Sequence, residues 1–325
     1  MKLIITIDTE ENIWNRYSAT DNPVDNVDAI IPVQRLFDQY GFRPTYLVTY
    51  PVATNPRSVE ILSRILEEGK CEIGMHCHRW NTPPFEGQNS IRKQDTMLSN
   101  LPADLIFNKL SAHHQAIYQN FGTTPISFRA GRWGFGPAVA NSLCKLGYLV
   151  DSLVTPFVSW EAKHGPDFTK FRPNIFRFNS RGLDDRDAKG AILEVPVTIG
   201  FLQLNFQLSQ RILGTLEKSI LSKLHVGGIL AWLGVLNRVL LSPEMTTAPS
   251  VIRLSRQMEK KGFSFLNLTF HSPSLQDGLS PFVRTSEEEV EFFKRLKMYL
   301  DFVRNQGWES MTLAEFESEY LNLTR

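Results

Sequence analysis

The chain is poor in cysteine. It has three in 325 residues, Cys71, Cys77 and Cys144, and no CxxC pair. That argues against a disulfide-built scaffold or a zinc ribbon and fits a reducing compartment. Surplus charge is also missing: 35 basic and 34 acidic residues leave a net +1. No broad basic face is available, and no nucleic-acid partner is expected. No apolar run reaches the roughly 20 residues that a spanning helix needs. The most apolar stretch, residues 226–241, is interrupted by Asn237 and Arg238. A buried helix is expected there, with a peripheral membrane contact as the alternative. No leader-like segment precedes the first apolar run, Leu3-Ile4-Ile5-Thr6-Ile7, so the expected location is the cytoplasm or the inner face of the membrane. Repeats and low-complexity tracts are absent.

What remains is ordinary globular material, 42% hydrophobic and 21% charged, enough for a large core. Residues 2–8 read as a buried strand. Pro32 and Gly41 bracket a helix with Val33, Leu36, Phe37 and Tyr40 inward. Further strands are expected at 45–48, 71–75, 126–129, 148–151, 175–178, 192–197 and 265–270. Helices are expected at 56–69, from Pro102 to 121, and at 137–146, 209–223, 250–261 and 287–305. In the last, Val290, Phe293, Leu296, Leu300 and Val303 should face inward. Glu287, Glu288 and Glu289 suit its N-terminus. Strands alternating with helices argue for a parallel sheet or barrel.

The chemically loaded residues fall at the C-terminal ends of these strands. Two imidazoles, His76 and His78, lie two apart after an apolar run, and two carboxylates, Asp8 and Glu10, lie two apart after another. Residues i and i+2 of an extended chain share a face. If the two faces meet, they offer nitrogen and oxygen ligands plus a spare carboxylate, which suits a metal-activated water and a general base. Cys77, between the imidazoles, should face away as a neutral thiol. Arg129, Asp151 and His271 end other strands, and strand ends are where parallel barrels build active sites. Trp80, Trp133 and Phe282 could stack on sugar rings. His113 and His114 are expected on the surface, and His225 in a structural role.

Taken together these residues resemble the polysaccharide deacetylase family, the NodB-homology or carbohydrate esterase family 4. The resemblance spans roughly residues 2–301. It implies an α/β fold, a distorted (β/α) barrel of about seven strands. A single domain over residues 1–325 is expected, with a divergent insertion at about 198–249. In Thr6-Ile7-Asp8-Thr9-Glu10, Asp8 matches the family's base. Thr9 stands where the family usually has a ligand Asp, and an Asp-x-Glu variant makes Glu10 the ligand. The family usually spaces its two ligand histidines by three residues, but here that position is Trp80, and His78 supplies the second imidazole. The string His-x-His-x-Trp-x-Thr-Pro-Pro is similar to a bacterial subgroup associated with surface-glycan synthesis. Arg129, in Phe128-Arg129-Ala130-Gly131, matches the Arg that pairs with the base. Asp151 is the one match to the fourth motif. His271 matches the catalytic acid and Leu268 a residue of the acetyl pocket.

The resemblance thus implies catalytic Asp8, Arg129 and His271, metal ligands Glu10, His76 and His78, and substrate contacts from Trp80, Trp133, Leu268 and Asp151. The mixed imidazole and carboxylate set makes Zn2+ the first choice of divalent ion. The implied activity is removal of an N-acetyl group from a sugar in a glycan or glycan precursor. Without a leader, a lipid-linked or nucleotide-linked sugar is the natural form. The alternatives are hydrolysis of another amide C–N bond in a small molecule and an inactive, glycan-binding barrel.

Overall fold

Strand β1 (Lys2–Thr9) is buried on both faces from Leu3 to Thr9, one face apolar through Leu3, Ile5 and Ile7 and the other carrying Thr6 and Asp8. In this computed structural model, which describes residues 1–87, 90–218 and 236–324, β1 sits within the sheet. The other strands are β2 (Thr45–Val48), β3 (Glu72–Cys77), β4 (Ser127–Ala130), β5 (Val150–Asp151), β6 (Phe176–Asn179), β7 (Gly182–Arg186), β8 (Ile192–Glu194), β9 (Ile199–Phe201), β10 (Arg238–Leu240), β11 (Phe265–His271) and β12 (Glu309–Met311). One 10-stranded sheet runs in the order β11-β1-β2-β3-β4-β5-β8-β6-β7, with β12 added to β1, and β9 and β10 form a separate antiparallel pair. From β11 to β8 every pairing is parallel. The alternating sequence pattern anticipates all of these, and β6 as well. The surplus over the expected barrel comes from the antiparallel β6 and β7 and from β12.

Crossovers are carried by helices: α1 (Ile30–Tyr40), α2 (Tyr50–Thr54), α3 (Pro56–Glu67), α4 (Ala103–Phe121), α5 (Pro137–Leu146), α6 (Phe206–Lys218), α7 (Ala248–Lys260), α8 (Ser286–Asn305) and α9 (Leu313–Thr324). Gly41 ends α1 at φ 68°, a left-handed cap that favours glycine. The sheet has two unlike faces. Leu3, Ile5 and Ile7 join the large core beneath the helices. Ile4, Leu47, Val150, Leu193, Val195 and Phe265 form a smaller cluster inside the curl. Side chains from β1 and β8 meet there although four strands separate them in the sheet, so the sheet is strongly curled. The gap beyond β11 is bridged by backbone bonds from Thr198 N to Asn267 O (3.2 Å) and from Thr269 N to Leu241 O (3.1 Å).

Some sequence expectations shift. His76 lies inside β3, not beyond it. Val290 is 68% exposed, and Phe292, Leu296, Tyr299, Leu300, Phe302 and Val303 carry the buried side of α8. Residues 226–235 of the apolar stretch lie outside the described residues, as does His225. Leu236, Val239 and Leu241 are buried, so none offers a membrane-facing side chain. Among the described residues no helix is long and apolar enough to cross a membrane.

Candidate active site

Parallel register delivers the polar residues as neighbours. Asp8 pairs with His271 across β1 and β11, and His76 with Arg129 across β3 and β4. Period-two alternation turns His76 and His78 to one side and Cys77 to the other. The Cys77 thiol is fully buried with only a long contact to Thr82 (3.7 Å), and burial pushes it up to about 11, so it stays neutral.

The two imidazoles are oriented from behind. His76 Nδ1 lies 3.1 Å from the Arg129 carbonyl, and His78 Nδ1 lies 2.9 Å from Glu11 Oε1. A carbonyl or carboxylate only accepts, so both Nδ1 atoms carry hydrogen, and Nε2 is the atom that each neutral ring offers as a lone pair. Those Nε2 atoms are 3.0 Å apart, with Glu10 Oε2 at 3.5 Å from His76 and 3.2 Å from His78. Two lone pairs in that position repel unless a proton or a cation lies between them. Burial alone would raise the Glu10 carboxyl, but the two imidazoles hold it well below the usual carboxylate range. Burial opposes charge on His78, yet Glu11 and Glu10 lift it to about 9. The nearest ligand atoms of all three side chains fall within 4.8 Å of one another. Two imidazoles and one carboxylate, all buried, match the three-ligand protein set of catalytic, not structural, zinc sites. The residues present therefore fit a divalent ion.

Asp8 flanks this cluster. Its Oδ1 accepts from Arg129 Nη1 at 2.6 Å. Arg129 is fully buried and also donates to Ser152 O, Thr269 Oγ1, Thr6 Oγ1 and Ser152 Oγ. Burial would raise the Asp8 carboxyl, but Arg129, His76 and His271 hold it below its ordinary value. The second oxygen, Oδ2, stands 3.9 Å from His76 Nε2 and 3.8 Å from His271 Nε2.

His271 is positioned by Glu244. The carboxylate accepts from the His271 backbone N–H (3.0 Å) and from Ser274 Oγ (2.6 Å), and it lies 3.1 Å from His271 Nδ1. Burial works against a charged ring here, but the Glu244, Glu10 and Asp8 carboxylates lift it to about 10. Trp14 meets the ring edge-on at 5.0 Å, and Phe282 lies nearly parallel at 6.0 Å.

Above these groups opens a cavity of about 510 Å3, walled by Trp14, Tyr17, Trp80, Trp133, Trp160 and Phe282. Trp80 does more than line it. Its ring stacks on His78 (4.1 Å, 28°) and its indole N–H donates to Glu11 Oε1 (3.1 Å). Gly131 is required nearby: a Cβ there would sit 2.2 Å from His78 Cδ2 and 2.9 Å from the Cys77 carbonyl.

The structure thus brings Asp8, Glu10, His76, His78, Arg129, His271, Trp80 and Trp133 to one cavity, and it does not bring two others. Leu268 lies one strand position out of phase with His271, so it packs in the core beneath the helices and does not line the cavity. Asp151 pairs in register with Glu194 on the helix side of the sheet, where burial raises both carboxyls. His113 is also corrected: it is fully buried, not on the surface, and burial together with His76 and His78 pushes it down to about 3. His114 is half-buried against Tyr148 (3.3 Å). Two residues were not singled out from sequence. Glu11 follows the Asp8-x-Glu10 pattern directly, and the acceptor that the His78 Nδ1–H needs behind it is the available signal. Glu244 lies in the divergent stretch, which carries no readable motif.

No family model matches the chain, and neither does any curated protein. Solved structures do. A provisionally assigned polysaccharide deacetylase from Mycobacterium smegmatis superposes with a TM-score of 0.52 at 13% identity, over 92% of this chain and 78% of that one. The Xyl-CE4 domain of a multidomain xylanase from the Trinervitermes trinervoides hindgut metagenome gives 0.45 at 11% identity, over 98% and 90%. A family 4 acetyl xylan esterase from Clostridium thermocellum, solved with a cobalt ion, gives 0.45 at 14% identity, over 97% and 89%. At such identities the likeness is one of fold, and it rests on the first. The chain has the polysaccharide deacetylase fold that its motifs imply.

Proposed function

We propose that the chain is a metal-dependent hydrolase that removes the N-acetyl group from a sugar. The observation that carries this reading is the cluster of Glu10, His76 and His78, flanked by a carboxylate oxygen and a protonated imidazole. A divalent ion held by these ligands would lower the pKa of water from 15.7 toward about 7, which lets a carboxylate as weakly basic as Asp8 take a proton from it. Arg129 keeps Asp8 ionised and occupies Oδ1, which leaves Oδ2 as the basic atom. Glu244 keeps a proton on His271, and Nε2 can hand it to the amide nitrogen as the C–N bond breaks, so that an amine leaves and not an amide anion. Water and the N-acetyl sugar become acetate and the free amino sugar. The 3.8 Å between Asp8 Oδ2 and His271 Nε2 supports this division of roles, since the proton taken and the proton given would lie close together.

Elemental analysis of the purified chain beside a His76→Ala/His78→Ala variant tests the centre. About one divalent ion per chain, lost in the variant, is expected. Asp8→Asn should keep the ion and lower acetate release by about 10²–10⁴-fold. No bound ion after dialysis against zinc, cobalt and manganese would overturn the hydrolytic reading in favour of a glycan-binding barrel.

A further inference from the structure

Four cationic side chains line the outer part of the cavity: Arg16, Arg132, Lys163 and Arg238. Two are engaged within the protein. Arg16 pairs with Asp21, and Arg238 Nη1 donates to the Phe157 carbonyl at 2.7 Å. Arg132 and Lys163 differ. Among the described residues, no carboxylate lies within ion-pair distance of either. The carboxylates on the cavity floor are committed elsewhere: Asp8 to Arg129, Glu11 to His78 and Trp80, Glu244 to His271.

Aromatic rings hold both cations in place. The Arg132 guanidinium lies 5.3 Å over the Tyr17 ring, and its Nη1 donates to the Tyr17 hydroxyl at 3.0 Å. Its Nε is buried and has no partner, an orphan donor that normally signals a missing acceptor. Opposite, Trp133 stacks on Trp160 (6.1 Å, 20°), whose indole N–H is anchored on Thr155 Oγ1 at 2.8 Å, and Lys163 Nζ lies 4.7 Å over the Trp160 ring. The backbone is bent to achieve this. Arg132 and Trp133 stand consecutively in the left-handed region, at φ 55° and 63°. Residues with a Cβ rarely adopt it, and such strain collects at functional sites.

We propose that this end of the cavity is an anion subsite and that the substrate is an N-acetylated sugar carrying a phosphate. The phosphate lies between Arg132 and Lys163 and the acetamido group at the Glu10–His76–His78 cluster, an assignment that rests on the deacetylase reading. Two unpaired positive charges match a phosphate better than a neutral glycan, and a guanidinium fork suits its oxygens. A cavity of 510 Å3 accommodates a ligand of that size.

Quenching of tryptophan fluorescence in the full chain gives a readout independent of turnover. N-acetylglucosamine 1-phosphate should bind about ten- to a hundredfold tighter than N-acetylglucosamine. That ratio should fall about tenfold in Lys163→Gln, at an exposed position, and in Arg132→Asn, which tolerates the left-handed backbone. Added salt should narrow it. A nucleotide diphosphate sugar and a short prenyl diphosphate sugar separate the sources: tighter binding of one names the group beyond the phosphate, and equal binding places recognition in the phosphate alone. Equal affinity for neutral and phosphorylated sugar, or a ratio unmoved by both variants, overturns the subsite. Acetate release from neutral oligosaccharides without phosphate preference would sink the subsite and leave the deacetylase. Phosphate preference without acetate release from any N-acetyl sugar would do the reverse.

Discussion

At the scale of single residues, the site depends on who stands behind each imidazole. Glu11 and the Arg129 carbonyl fix the tautomers of His78 and His76, and Glu244 holds a proton on His271. The sign of the last effect yields a pH prediction. In the proposed reaction His271 gives up a proton, so activity should fall as pH rises through its pKa, which Glu244, with Glu10 and Asp8, holds near 10 against the opposing effect of burial. Removing that charge in Glu244→Gln should move the alkaline limb of kcat/KM down by about 1–3 pH units, while the acid limb stays in place. A pH–rate profile reads this directly, and an unmoved alkaline limb would remove His271 from the role of acid. The candidate base, acid and imidazoles were legible in the sequence because they end apolar runs. Their outer partners were not, because Glu11 is one more acidic residue in a short run and Glu244 arrives from a stretch without a strand-and-helix rhythm.

At the scale of elements, alternation along a strand decides what a residue can do. It places His76 and His78 together, and the same rule removes Leu268, which sits on the wrong side of β11 from His271. Asp151 fails for a similar reason: Val150 takes the inner face of β5, so Asp151 must take the outer one. Strands with apolar, β-branched runs could be read from sequence almost to the residue. β7, with the polar string Gly-Leu-Asp-Asp-Arg, and the three-residue β9, β10 and β12 could not, because they are held by pairing partners distant in the chain. The turn after β4 is equally position-specific. Gly131→Ala would drive a methyl group into His78, so bound metal should fall sharply while the fold, followed by circular dichroism, persists. Full metal content in this variant would mean that His78 is not a ligand.

At the scale of the whole molecule, Arg129 is both the ion-pair partner of Asp8 and a fastener. From β4 it reaches Thr6 and Asp8 on β1, Thr269 on β11 and Ser152 after β5, and so spans the interior of the curled sheet. Removing one member of a buried ion pair leaves the other charge uncompensated, at a cost of about 3–5 kcal/mol. Arg129→Met should therefore lower the unfolding free energy, read from a denaturant titration, by that amount as well as abolish activity. A loss of activity with unchanged stability would make Arg129 a local electrostatic partner alone.

The pairing of β1 with β11 also bears on how the protein is made. Thr6 bonds to Asn267, 261 residues further along the chain. At about 5–20 residues per second, β1 waits roughly 10–50 s for that neighbour to leave the ribosome. Throughout that interval Leu3, Ile4, Ile5 and Ile7 lie along an unpaired edge of the kind that recruits other strands. The nascent chain is then most in need of a chaperone at β1, and slowing translation before residue 265 should increase aggregation.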